Sequence, residues 1–177
     1  ATGDTTNKST GAANATLTAK ANTAVTIDVS GAKSDSKGFT LEGGTGSGAD
    51  ILTGGAGVDI ITGGAQIDTI TGNGGADTIS GGAGNDIITG GSGNDIITID
   101  VGTDKVLDLG GSGSGGESDV VVIEANATLT ATDVISFTAT GDTTNKSTGA
   151  ANATLTAKAN TAVTIDVSGA KSDSKGF

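Results

Sequence analysis

Residues 45–98 read TGSGADILT GGAGVDIIT GGAQIDTIT GNGGADTIS GGAGNDIIT GGSGNDIIT, six nonapeptides in unbroken register. Each has an aspartate at its sixth position (Asp50, Asp59, Asp68, Asp77, Asp86, Asp95) and an aliphatic residue two places later. A worn seventh copy, IDVGTDKVL at 99–107, keeps Asp104 and Val106 and loses the leading glycines. The stretch after each aspartate alternates, so Leu52, Ile61, Ile70, Ile79, Ile88 and Ile97 form one inward row of very short strands of period two. The glycines before each aspartate permit positive φ and a tight reversal. Strand and turn at a fixed short period define a solenoid whose coils stack along an axis. Two nonapeptides per coil place Asp50, Asp68, Asp86 and Asp104 along one edge, and Asp59, Asp77 and Asp95 along the other.

Stacked strands lie about 4.8 Å apart. Aspartates repeated at that spacing, with no lysine or arginine among them in residues 45–98, repel one another unless a cation lies between. Calcium takes oxygen ligands at roughly 2.3–2.6 Å, so two carboxylate oxygens across one ion stand about 4.6–5.2 Å apart, close to the coil spacing. Carbonyls of the glycine turns can complete the shell. The chain has no His and no Cys, which favours calcium over zinc. Magnesium prefers to keep its waters.

These units resemble the GGxGxDxUx repeat of RTX, or hemolysin-type calcium-binding, proteins. In that family the repeats form a parallel β-roll with calcium in the turns between successive coils. The resemblance therefore implies an all-β chain, a parallel β-roll or β-solenoid of nonapeptides flanked by short strands. It implies ions between Asp50 and Asp68, Asp68 and Asp86, Asp59 and Asp77, Asp77 and Asp95, and a doubtful one between Asp86 and Asp104. Backbone carbonyls of Gly54, Ala56, Gly63, Ala65, Gly72, Gly74, Gly81, Ala83, Gly90 and Ser92 are the expected further ligands, for about four to five Ca2+ per 138-residue unit. The pattern departs at Gln66, where the fourth-position glycine is missing, and at Asn73, where the second is. Asn tolerates the left-handed region better than Gln, so the cage around Asp68 is expected to be the weakest.

Residues 139–177 are identical to residues 1–39, an offset of 138. The expected organisation is a β-rich lead-in (1–42), the calcium roll (43–107), a β-rich connector (108–138) and the start of the next identical unit (139–177), an internal slice of a tandem array. Alternating runs at Ala15–Ala19, Val25–Val29, Phe39–Leu41, Val120–Glu124, Ala127–Ala131 and Val134–Thr138 read as strands, with turns at Ser30–Gly38 and Gly110–Ser118. They fit calcium-free coils on the same axis or a small sandwich; strands leading directly into the roll are preferred, because Phe39-Thr40-Leu41 abuts Gly43 with no linker. Their Thr/Ala-rich composition resembles the β segments beside RTX blocks in bacterial surface-layer proteins and giant adhesins.

With 32 Gly, three aromatics and no Cys, the chain cannot build a thick core, but it can build a thin solenoid stapled by ions. The net charge of −11 opposes folding without metal and argues against nucleic acid. These features predict a chain disordered where calcium is scarce and folded outside the cell, a fit to the type I secretion typical of the family. No His, Cys or Tyr is available as base or nucleophile, so no enzyme active site is expected. The sequons at Asn7, Asn14 and Asn126 are ordinary in a Thr-rich chain and are assigned no sugar. The expected role is a secreted structural repeat of a bacterial surface layer, fibre or adhesin stalk. Its partners would be copies of itself and cell-surface glycan or lipopolysaccharide. The alternatives are a ligand- or ice-binding adhesin module, or an export and folding module of a secreted enzyme. Against ice binding, the outward Thr53, Thr62, Thr71, Ser80, Thr89 and Thr98 read as ordinary exposed strand residues.

Overall fold

The structure, a computed structural model, describes residues 15–18, 24–32, 37–109, 119–124, 127–134, 136–138, 144–145, 154–157 and 164–166. These residues form strands and turns without a helix. Strands β1 (Ala15–Thr18), β2 (Thr26–Asp28), β3 (Phe39–Glu42) and β4 (Ile51–Thr53) lead into β5 (Ile60–Ala65), β6 (Thr69–Gly74), β7 (Thr78–Ala83), β8 (Ile87–Ser92) and β9 (Ile96–Ile99). There follow β10 (Gly102–Asp108), β11 (Val120–Ile123), β12 (Ala127–Val134), β13 (Ser136–Thr138), β14 (Thr144–Asn145), β15 (Thr154–Ala157) and β16 (Thr164–Asp166). One seven-stranded sheet runs β1-β3-β5-β7-β9-β11-β14, the other β2-β4-β6-β8-β10-β12-β15, and β13 pairs with β16 in a small third sheet.

Every pairing is parallel, and from β1 to β12 consecutive strands alternate between the two large sheets. In the centre one coil is 18 residues, so Ile61 lies beside Ile79 and Ile70 beside Ile88. Period-two alternation sends Leu52, Ile61, Ile70, Ile79, Ile88 and Ile97 inward, all fully buried. Each coil buries only two such residues, so the core is a narrow seam between the sheets. Burial per coil is too small for independent stability, and the seam holds because neighbouring coils continue it.

The strands are longer than the sequence suggests. β5 to β8 run on into their glycines, and Gly64 pairs with Gly82 and Ala65 with Ala83. Turns of like shape stacked in register continue the parallel ladder around the corner, so the turn backbone is hydrogen-bonded as well as bent.

The flanks are coils of the same solenoid. Ala15 pairs with Phe39 and Thr26 with Ile51, steps of 24 and 25 residues. On the far side Ile96 pairs with Val120 and Gly102 with Ala127, again steps of 24 and 25. The wider coils keep the core seam: Ile27, Val29, Leu41, Val121 and Leu129 are buried with the central row. Strand β12 merges Ala127–Ala131 with the start of the next expected strand. The expected turn at Ser30–Gly38 is described only in part, and that at Gly110–Ser118 lies outside the described residues, as do Asn7, Asn14 and Asn126. The two identical segments take opposite sides. Residues 15–18 pair in the first large sheet, whereas 154–157, the copy of 16–19, pair with β12 in the second.

Candidate metal centre

Each glycine hexad closes on an aspartate at the entry to a strand, and the 18-residue coil brings these aspartates into two rows. Asp50, Asp68 and Asp86 precede strands of one large sheet and Asp104 lies within its strand β10, while Asp59, Asp77 and Asp95 precede strands of the other. All seven are at most 1% exposed. Within a row, Oδ1 of each carboxylate accepts the backbone N–H of the aspartate one coil earlier. Asp50 donates to Asp68 at 2.7 Å, Asp68 to Asp86 at 2.8 Å and Asp86 to Asp104 at 3.0 Å. In the other row Asp59 donates to Asp77 at 2.7 Å and Asp77 to Asp95 at 2.8 Å. Each side chain thus ties its own coil to the preceding one.

The structure adds a member that sequence reading missed. Asp119 is buried, and its Oδ1 accepts the N–H of Asp95 at 2.9 Å. The signal is the same acid followed by aliphatics, Asp119-Val120-Val121, but it falls 24 residues after Asp95 and so outside the nine-residue register. Apolar residues bound the rows. Val25 and Phe39 supply the backbone N–H for Asp50 and Asp59, at 2.8 and 2.5 Å, and buried Leu129 stands opposite Asp104 one coil on.

The second carboxylate oxygen divides the ladder. Oδ2 of Asp50 accepts the N–H of Gly44 and Oδ2 of Asp59 that of Gly55, both at 2.7 Å. Oδ2 of Asp68, Asp77, Asp86 and Asp104 is buried with no hydrogen-bond donor. Such an acceptor, taken from water and given no donor, is costly unless a cation meets it. These oxygens lie over the leading glycines. A Cβ on Gly63 would strike Asp68 Oδ2 and the Gly81 carbonyl oxygen, and one on Gly72 would strike Asp77 Oδ2 and the Gly90 carbonyl oxygen. Only a bare Cα lets carboxylate and carbonyl oxygens converge there.

The turns before Asp68, Asp77, Asp86 and Asp95 share a backbone signature, positive φ at the second and fourth positions. Gly64 and Gln66, Asn73 and Gly75, Gly82 and Gly84, and Gly91 and Gly93 form the pairs. Gln66 and Asn73 adopt φ of 80° and 75°, so the turn conformation is imposed even where glycine is absent. Asn73 also donates its Nδ2 to the Gly54 carbonyl at 2.8 Å. Of the expected carbonyl ligands, those of Gly63, Gly72, Gly81 and Gly90 face the leading glycine of the coil before, except that Gly63 faces Gly43. The Ser92 carbonyl accepts the N–H of Gly75 at 2.9 Å, and Ala56, Ala83 and Ser92 are exposed at the corner. The worn copy differs: its turn begins with buried Ile99, and Asp100 Oδ2 accepts Ser80 Oγ at 2.5 Å.

Burial pushes these acids up. Asp77 rises to about 7 and Asp68 and Asp104 to about 6, with Asp59 and Asp86 also raised. Desolvation is the largest cause in each case; the backbone N–H groups oppose it. Neighbouring carboxylates add to the rise, Asp59 and Asp95 for Asp77, Asp100 for Asp86. The rows therefore hold either protons or a counter-cation. The donor set fits calcium: hard anionic oxygens, unobstructed carbonyls and no nitrogen or sulfur ligand. Among the described residues no three acidic side chains converge on one point, so any ion needs backbone carbonyls as well.

Stacked nonapeptide coils with acids buried at their corners define a parallel β-roll of the metal-binding kind. Residues 40–70, 62–97 and 71–106 match the family described as RTX calcium-binding nonapeptide repeat (4 copies), so the stretch 40–106 is similar to RTX calcium-binding repeats. No curated protein and no solved structure matches it.

Proposed function

We propose that the chain is a calcium-folded extracellular structural repeat, a unit of a bacterial surface layer, fibre or adhesin stalk. The observation that carries this reading is the run of buried, donor-free Oδ2 atoms on Asp68, Asp77, Asp86 and Asp104. Calcium supplies the positive charge that lets these acids stay ionised inside the roll. The chain's own residues do the rest. Leading glycines admit the carboxylates, Oδ1 atoms lock coil to coil, and Leu52 to Ile97 close the seam. In calcium-poor surroundings the charged rows oppose coil stacking, and export into calcium triggers it.

Identity of residues 1–39 and 139–177 supports a role repeated along a chain, such as length or lattice formation, with copies of itself as partners. The outer faces support lateral packing: Ile51, Ile60, Ile87 and Ile96 stand exposed beside threonines of neighbouring strands. Cell-surface glycan or lipopolysaccharide is the expected anchor. Circular dichroism in EGTA and then in millimolar calcium tests the mechanism, with β signal expected only after calcium. A spectrum already β-rich in chelator refutes it. Electron microscopy of the native assembly distinguishes lattice, filament and separate stalk.

A further inference from the structure

Two kinds of aspartate share one sequence pattern. Asp50 and Asp59 accept backbone N–H groups on both carboxylate oxygens, from Val25 and Gly44 and from Phe39 and Gly55. Asp68, Asp77, Asp86 and Asp104 are satisfied on Oδ1 alone. The backbone divides at the same place, for the positive-φ turns begin at Gly64 and none occurs in the turns before Asp50 and Asp59. In those first two turns the amide nearest Oδ2 points its hydrogen at the carboxylate. In the turn before Asp86 the amide equivalent to that of Gly55, Gly82 N–H, goes to Asp100 instead, at 3.3 Å. A cage that presents an N–H dipole repels a cation, whereas one lined only by acceptors attracts it.

We infer that the aspartate ladder is split: Asp50 and Asp59 are ion-free, hydrogen-bonded rungs, and calcium is confined to the carboxylate pairs Asp68–Asp86, Asp77–Asp95 and Asp86–Asp104. The first rungs are bounded by Val25 and Phe39, which leaves no acid on their outer side to share an ion. With β1 to β4 they form an end of the roll that closes by hydrogen bonds and seam burial alone. The calcium-bound coils carry this end with them, and it is held to them by the Asp50 and Asp59 hydrogen bonds. This rests on the calcium-folding reading above and divides its sites unequally.

The test counts ions. The full chain is saturated with calcium and desalted, its β signal is checked by circular dichroism, and bound calcium per chain is measured by atomic emission. The chain with Asp50→Asn and Asp59→Asn together is expected to retain as many ions as the unsubstituted chain. It should need a several-fold higher calcium concentration for folding, because two hydrogen bonds are lost. The chain with Asp77→Asn and Asp86→Asn is expected to retain at least two fewer. Should the first pair not reach full β signal, Asp59→Asn alone gives the same count. Loss of ions from the Asp50/Asp59 chain overturns the split while leaving calcium-driven folding intact. An unsubstituted chain that folds and holds no calcium overturns both.

Discussion

Acid should stand in for calcium, and Asp77 is where the effect is largest. Its Oδ1 accepts the N–H of Asp59, its Oδ2 has no donor, and burial with Asp59 and Asp95 nearby lifts the carboxyl from 3.8 to about 7. Because the folded value lies above the unfolded one, the folded chain holds a proton that the unfolded chain releases. This contribution is fully present below about pH 4 and is lost as pH rises through about 7. Taken at face value the interval corresponds to about 4 kcal/mol; solvent screening at the corner of the roll reduces it to about 2 kcal/mol. The perturbation is Asp77→Asn, which keeps the Oδ1 acceptor and the shape and is neutral at every pH. Metal-free chain is acidified from about pH 8 to about pH 4 and β content is followed by far-UV circular dichroism. The parent should gain β structure on acidification, and Asp77→Asn should gain it at higher pH. In saturating calcium the order should reverse, with the substituted chain melting lower. A metal-free parent whose spectrum ignores pH, or an unmoved midpoint in Asp77→Asn, refutes the account of the buried rows.

Gly72→Ala puts a Cβ against Asp77 Oδ2 and the Gly90 carbonyl, and should lower the calcium-saturated stability by about 2–3 kcal/mol in denaturant melts. Gln66→Gly relieves a side chain held at φ 80° and should raise calcium-saturated stability by up to about 1 kcal/mol, whereas Gln66→Val should lower it. Thr130→Cys with Thr154→Cys, opposite each other in β12 and β15, should form a disulfide on oxidation; Val122→Cys with Thr154→Cys, in different sheets, should not. The reverse outcome would put the second copy of the repeated segment in the other sheet.

Much of the roll is local, which is why residues 45–98 disclose it. The nine-residue period, inward Leu52 to Ile97 and the two rows of aspartates follow from alternation and glycine placement alone. Phe39 and Leu41 likewise announce a strand entering the roll. Asp119 was hidden because an insertion between coils changes sequence distance and not spatial register.

What one nonapeptide determines, then, is its own strand, its own bend and the acid between them, because those depend on backbone sterics within a few bonds. Which aspartates receive an amide on both oxygens and which keep a bare one was decided only by the stacked coils. Asp50 and Asp68 occupy the same place in the repeat, yet the donors that reach Oδ2 depend on how each turn bends against its neighbours. The same holds for the repeated segment at 15–18 and 154–157, whose side of the solenoid is set by the number of strands laid down between the copies. Contacts between coils are long-range, and identical residues therefore meet different partners.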